Sequence, residues 1–239
     1  MPFLKTGPIV AAAAIMLAIT PLPAIAGAIH KDVPQKVDPN KRYLIYLHGA
    51  WPESRPLSEP HPKRGLFEYE KILAGLAARD FEVISELRRT KVNPRKYARE
   101  RVMPQIKSLI DKGVPANKVT VVGFSKGGGM VLTLLSLAKQ PEVNFVNLAG
   151  CGKGQHRKAY DSVVANDAAK MQGRMLSLYD QAETIAGTCK EAADLATRMK
   201  MTEEVLAIGK GHGSFYSPHP AWLDRISSWA GPGGKPKTN

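Results

Sequence analysis

The sequence predicts an α/β fold: a mostly parallel, six-stranded sheet with helices on both faces. Two observations carry that prediction. Short apolar or β-branched runs alternate six times with stretches of helical period, the pattern of strands joined by right-handed helical crossovers. In the third repeat, Val119 to Val122 leads through Gly123-Phe124-Ser125-Lys126-Gly127 directly into the helical run MVLTLLSLAKQ. That strand, tight turn and helix give a G-x-S-x-G match its structural context.

Taken in order, residues 27–41 are polar and interrupted by proline, an extended surface segment. Tyr43 to Leu47 is a continuous apolar run, as expected of a strand covered on both faces, and it ends in His48-Gly49-Ala50-Trp51. Residues 52–64 hold four prolines and no period, a loop draped over the site rather than packed in the core. A helix follows from Phe67 to Ala78, then a strand from Phe81 to Ser85 and a helix from Pro94 to Lys112 whose basic residues form a solvated face. After the third strand and its helix come a strand at Asn144 to Ala149, a helix around Tyr160 to Met171 and a strand at Arg174 to Tyr179 that stops at Asp180. A helix from Cys189 to Met199 precedes the sixth strand, Glu204 to Ile208, which ends in Gly209-Lys210-Gly211-His212-Gly213. Ala221 to Ala230 closes a single domain over residues 27–230, and 231–239 read as a disordered tail.

A chain of 239 residues, 44% hydrophobic, can bury one sizeable core and is too short for two domains of this class. Residues 1–26 have the form of a secretory signal peptide: Lys5, an alanine-rich apolar run from Ile9 to Thr20, and the small-x-small site Ala24-Ile25-Ala26. The run is short of the ~20 residues that span a bilayer, so an uncleaved anchor is the runner-up. The expected location is the periplasm or the medium, with no stable membrane span after cleavage near Ala26. Cleavage removes one lysine and no acid from a chain of formal net charge +13. That surplus suits an acidic envelope surface. Nucleic acid is not expected as a partner, because aromatic residues are not interleaved with the basic residues from Arg88 to Arg101 as a stacking platform requires, and export argues against it as well. Cys151 and Cys189, the two cysteines of a chain bound for an oxidising compartment, point to one disulfide, with two buried thiols as the alternative.

In open parallel sheets the site lies beyond the carboxyl ends of the strands. By that criterion the chemistry-bearing residues are His48 to Trp51, Ser125, Asp180 and His212. A serine hydroxyl needs a base to take its proton, and an imidazole needs a carboxylate to fix its tautomer. Ser125 is the candidate nucleophile and His212, flanked by glycines on a mobile loop, the candidate base. Asp180 is the candidate orienting acid, with Glu183 its main rival. The backbone N–H groups of Lys126 and Ala50 are the candidate oxyanion donors. His48 has a structural role, and Trp51 and Tyr216 shape the substrate site. No His or Cys spacing resembles a zinc set and no loop has the form that cradles phosphates, so no metal and no cofactor are expected.

Four segments, VVGFSKGG, NLAGC, SLYDQAETIAGTC and GKGHGSFY, together resemble the small bacterial exported serine hydrolases of the α/β-hydrolase superfamily over roughly residues 41 to 230. The resemblance implies the α/β-hydrolase fold and a Ser125, Asp180, His212 triad in the chain order of that superfamily. There is no room before Lys41 for the usual first antiparallel strands and no insertion for a cap domain, so a reduced six-stranded sheet with an open site is expected. The expected function is an exported esterase cleaving a small-molecule carboxylic ester through an acyl-serine. A serine peptidase or acyltransferase, and a non-catalytic binding protein on the same scaffold, are the alternatives.

Overall fold

Continuous apolar runs become strands buried on both faces. The computed structural model describes residues 26–231, so the expected leader and tail lie, but for Ala26 and Gly231, outside the described residues. The elements are β1 (Ile29–His30), β2 (Arg42–Leu47), α1 (Tyr69–Ala77), β3 (Phe81–Ile84), α2 (Pro94–Tyr97), α3 (Met103–Asp111), β4 (Val119–Phe124), α4 (Lys126–Leu137), β5 (Asn144–Leu148), α5 (Lys158–Asn166), β6 (Gln172–Asp180), α6 (Lys190–Leu195), β7 (Arg198–Leu206) and α7 (Pro220–Trp229). The sheet order is β1-β3-β2-β4-β5-β6-β7, with every neighbouring pair parallel.

Alternate residues of each strand feed two cores. Ile45, Val121 and Phe145 pack with Ile106 of α3, Met130 and Leu134 of α4, and Tyr160 of α5. Leu44, Tyr46, Phe124 and Leu148 pack on the opposite face with Ile72 of α1 and Trp222 and Ile226 of α7. Trp222 is completely buried and its indole N–H donates to the Ser214 carbonyl at 3.2 Å, which ties α7 to the turn carrying His212. Truncating such a residue to alanine costs about 3–5 kcal/mol.

Three elements differ from expectation. The sheet has seven strands rather than six, because Ile29 and His30 pair with Val83 and Ile84. Two residues are too few to show a period. The helix expected to run to Met199 stops at Leu195, and β7 starts at Arg198 and pairs with β6 over nine residues instead of beginning at Glu204. β7 is an edge strand with charged, partly exposed residues along it, so its sequence lacks the apolar run of a central strand. Finally, the helix expected over 94–112 contains a π-helical turn at Ala98–Val102. Pro104 follows, and a proline that cannot donate to the preceding turn accounts for the widened spacing.

Candidate active site

β4 and α4 meet at Ser125, which has φ 54° and ψ −112°, a conformation that serine adopts only under constraint. The close approach of strand and helix explains the flanking glycines. A Cβ on Gly123 would lie 2.1 Å from the Gly127 carbonyl oxygen, and one on Gly127 would lie 2.0 Å from that of Leu47. The constraint aims the hydroxyl outward at the carboxyl edge of the sheet, where Ser125 Oγ lies 2.9 Å from His212 Nε2.

His212 sits on a 3-10 turn, Gly211–Phe215, every residue of which is buried. The mobile loop expected from the two glycines is therefore a packed turn. Gly211 has φ +54°, and a Cβ there would meet the Ala182 carbonyl at 2.6 Å, so its freedom serves a tight contact. The His212 ring rests against Phe124, with ring centres 4.8 Å apart.

The carboxylate that meets His212 is Glu183, not Asp180. Glu183 Oε2 accepts from His212 Nδ1 at 2.9 Å, while Oε1 accepts from the N–H groups of Thr184 and Ile185 at 3.0 Å and of Ala186 at 3.4 Å. Burial pushes the Glu183 carboxyl up, but the His212 contact and these N–H groups outweigh it and hold it below the ordinary value. Asp180, the acid expected from its place at the strand end, is saturated elsewhere. Its Oδ1 accepts from Ala182 and Gly211 and its Oδ2 from Ile208 and Gly209, all at 2.9 Å. Four N–H donors leave no lone pair for an imidazole. Burial raises the Asp180 carboxyl too, and again the N–H groups prevail and lower it. Asp180 thus fastens the ends of β6 and β7 to the turn that carries His212.

Beside Ser125 lies a buried ionic network that the sequence did not disclose. Glu53, on the 3-10 turn Trp51–Glu53, accepts from Arg88 Nε at 2.9 Å and from Lys126 Nζ at 2.5 Å. Arg88 also donates to the His48 carbonyl, and its backbone N–H donates to His48 Nε2 at 2.9 Å. An accepting Nε2 leaves the proton on Nδ1, which donates to the Gly49 carbonyl at 2.7 Å. Burial, then the Arg88 charge, holds His48 well below its ordinary pKa, so it is a neutral, structural residue. The network binds the segment 48–53 to Lys126. Neither the Ala50 nor the Lys126 backbone N–H has a hydrogen-bond partner among the described residues, so both are free to face a ligand at Ser125. Partners 35 and 73 residues apart leave no local signature.

Cys151 and Cys189 form a disulfide. Gly152 bridges Ala186 in antiparallel fashion, and Lys153 N–H donates to Ile185 O at 3.0 Å, so the segment bearing Glu183 is held to the end of β5 both covalently and by hydrogen bonds.

No family model matches the sequence and no curated protein matches it. Solved structures do match in three dimensions. Arabidopsis thaliana SOBER1 aligns over 79% of this chain and 97% of its own with a TM-score of 0.50 and 12% identity. Est1E from Butyrivibrio proteoclasticus, solved with ferulic acid bound, aligns over 83% and 90% with a TM-score of 0.50 and 10% identity. The chain has the α/β-hydrolase fold. A 2,6-dihydroxy-pseudo-oxynicotine hydrolase aligns over 82% of this chain but 62% of its own, with a TM-score of 0.54 and 10% identity. At such identities the likeness is one of fold.

On this α/β-hydrolase scaffold two clefts open on either side of Ser125 and His212. One, of about 430 Å³, runs beneath α5 and is lined by Leu132, Ala149, Tyr160, Val163 and Ile185. The other, of about 450 Å³, is lined by Ala50, Trp51, Arg64, Lys91 and Tyr216. Trp51 and Tyr216 both line this cleft, Tyr216 as a buried wall in edge contact with Phe124 and Phe67. The proline-rich loop borders the second cleft. The first departs from the expected open site, since α5, without being a cap domain, gives it an apolar side. Among the described residues no cluster of His, Cys, Asp and Glu could hold a metal, and no helix is long and apolar enough to cross a membrane.

Proposed function

We propose that the protein is an exported serine hydrolase, an esterase acting on a carboxylic ester through an acyl-serine intermediate. The observation that carries the reading is the hydrogen-bonded chain Ser125, His212, Glu183, two contacts of 2.9 Å in one line. In this mechanism His212 Nδ1–H donates to Glu183, leaving Nε2 with the lone pair that receives the Ser125 proton. Ser125 Oγ attacks the ester carbonyl, and the Lys126 and Ala50 N–H groups stabilise the oxyanion at the N-terminus of α4. The imidazolium, stabilised by Glu183, then protonates the departing alkoxide. Water, deprotonated by the same imidazole, attacks the acyl-serine and regenerates Ser125.

Export is supported by the Cys151–Cys189 disulfide, since such bonds persist in oxidising compartments. A fluorophosphonate probe tests the enzyme reading directly. Ser125 is labelled and Ser125→Ala loses both labelling and turnover of p-nitrophenyl butyrate; unlabelled, correctly folded wild-type protein would show the scaffold to be non-catalytic.

A further inference from the structure

Several cations without a carboxylate partner are gathered at the rim of the candidate site. Elsewhere on the chain several arginines are matched to carboxylates, Arg79 with Asp224, Arg95 with Asp167, Arg101 with Asp32 and Glu86, and Arg225 with Glu204, while Arg89, Arg99, Arg174 and Arg198 are not, among the described residues. Lys63, Arg64, Lys91 and Lys210 have no carboxylate within 4.0 Å among the described residues.

Three of these side chains are grouped about one hollow. A third cleft, of about 470 Å³, is lined by Lys63, Arg64 and Lys210 together with Gly211, His212 and Gly213, and no acid lines it. Arg64 borders both this cleft and the one containing Trp51 and Ser125, so the two are continuous along its side chain. Its position is fixed: the guanidinium lies 3.2 Å from His61 Nε2 and 3.5 Å from the Tyr216 hydroxyl, and over the Tyr216 ring. The one acid bordering the Trp51 cleft, Glu53, is already bound by Arg88 and Lys126. On the other side of Ser125, the cleft under α5 is apolar and its one arginine, Arg95, is neutralised by Asp167.

We propose that the substrate is a bipartite ester, with an apolar group on one side of the scissile bond and a carboxylate or phosphate on the other. The apolar group occupies the cleft under α5. The anion is met by Arg64, with Lys63 and Lys210 as further charges. Like charges gathered in a concave wall raise one another's energy, and an anionic ligand relieves that repulsion while gaining attraction to each. Arg64 is the residue suited to fixed, bidentate contact, and the lysines act as point charges. The proposal rests on the serine hydrolase reading above, because it locates the anion relative to the bond that Ser125 attacks.

The test uses matched esters with the charge on either side. Mono-p-nitrophenyl glutarate against p-nitrophenyl butyrate places the anion on the acyl group; 4-carboxyphenyl butyrate against its methyl ester places it on the alcohol. Each kcat/KM is divided by the hydroxide-catalysed rate. We expect one pair to favour the anionic ester by about tenfold in low salt, with the preference shrinking in 0.5 M sodium chloride. Lys63→Glu/Lys210→Glu removes that preference, while two reversals at distant exposed sites, Lys139→Glu and Lys36→Glu, keep it at equal net charge. Equal normalised rates in both pairs, or a preference untouched by the Lys63→Glu/Lys210→Glu variant, overturns the proposal. If neutral esters turn over and fluorophosphonate labels Ser125, only the anion assignment falls; if neither occurs, the hydrolase reading falls first.

Discussion

Replacing Glu183 by glutamine removes one charge and no volume, and the hydrogen bonds around the side chain dictate how the amide must sit. Three N–H groups converge on Oε1, so the amide oxygen takes that place. The inverted rotamer would set an NH₂ against N–H donors and orphan buried groups at about 1–3 kcal/mol each. The NH₂ therefore faces His212 Nδ1, which must accept, and the ring proton moves to Nε2. There it points at Ser125 Oγ, so the base is blocked as well as deprived of its counter-charge. By analogy with other triads kcat falls about 10³–10⁴-fold, roughly 4–5 kcal/mol of barrier, with only the modest stability loss of a charge-assisted contact that becomes a neutral one. Asp180→Asn does the reverse. Its amide must oppose two of the four N–H groups, costing about 2–6 kcal/mol and lowering Tm by about 2–4 °C per kcal/mol, while kcat of the folded fraction stays within about tenfold. Ester turnover and thermal melts on both variants decide: a silent Asp180→Asn melt with a crippled rate, beside an active Glu183→Gln, refutes the assignment.

Cys151→Ser/Cys189→Ser opens a cross-link spanning 38 residues, which by chain entropy lowers stability by about 4 kcal/mol, and a dithiothreitol titration monitored by activity should track the loss. Asp180 and Glu183 both titrate below their ordinary values of 3.8 and 4.5 in the fold. Their ionised forms therefore stabilise it fully above about pH 5, and that contribution is lost as pH falls from those values through the lower ones of the fold, so Tm declines in acid and does so less steeply in Asp180→Asn. Glu53→Gln leaves buried Arg88 and Lys126 without a counter-charge; melts should fall by the equivalent of about 3–5 kcal/mol, and an unchanged melt would mean that the network is not closed in solution.

The hydrogen-bonded pair Ser125 and His212, the candidate nucleophile and base, can be picked out in the sequence because each carries a local signature: Ser125 lies between the glycines that a strand-to-helix crossing needs, and His212 lies just past a strand. The acid is misleading for a physical reason. Weighting the residue at the strand end selects Asp180, but a strand end is also where N–H groups converge, and they capture its carboxylate. Glu183 reaches the imidazole from the turn beyond. The central strands can be read from their apolar runs, whereas β1 and the first half of β7 cannot, since edge pairing demands little of side chains. The Glu53, Arg88 and Lys126 cluster joins residues whose nearness exists only once the sheet has formed.

β7 is the last strand of the sheet, and the histidine turn hangs from its end, whereas Ser125 follows β4 near the centre. Edge strands open at lower free energy than central ones. Fraying of β7 would carry off the base and leave the serine in place on an otherwise intact fold. On warming, the protein should then lose activity before its core melts, and recover it on cooling, so that hydrogen exchange in residues 198–206, rather than the global transition, sets the upper working temperature.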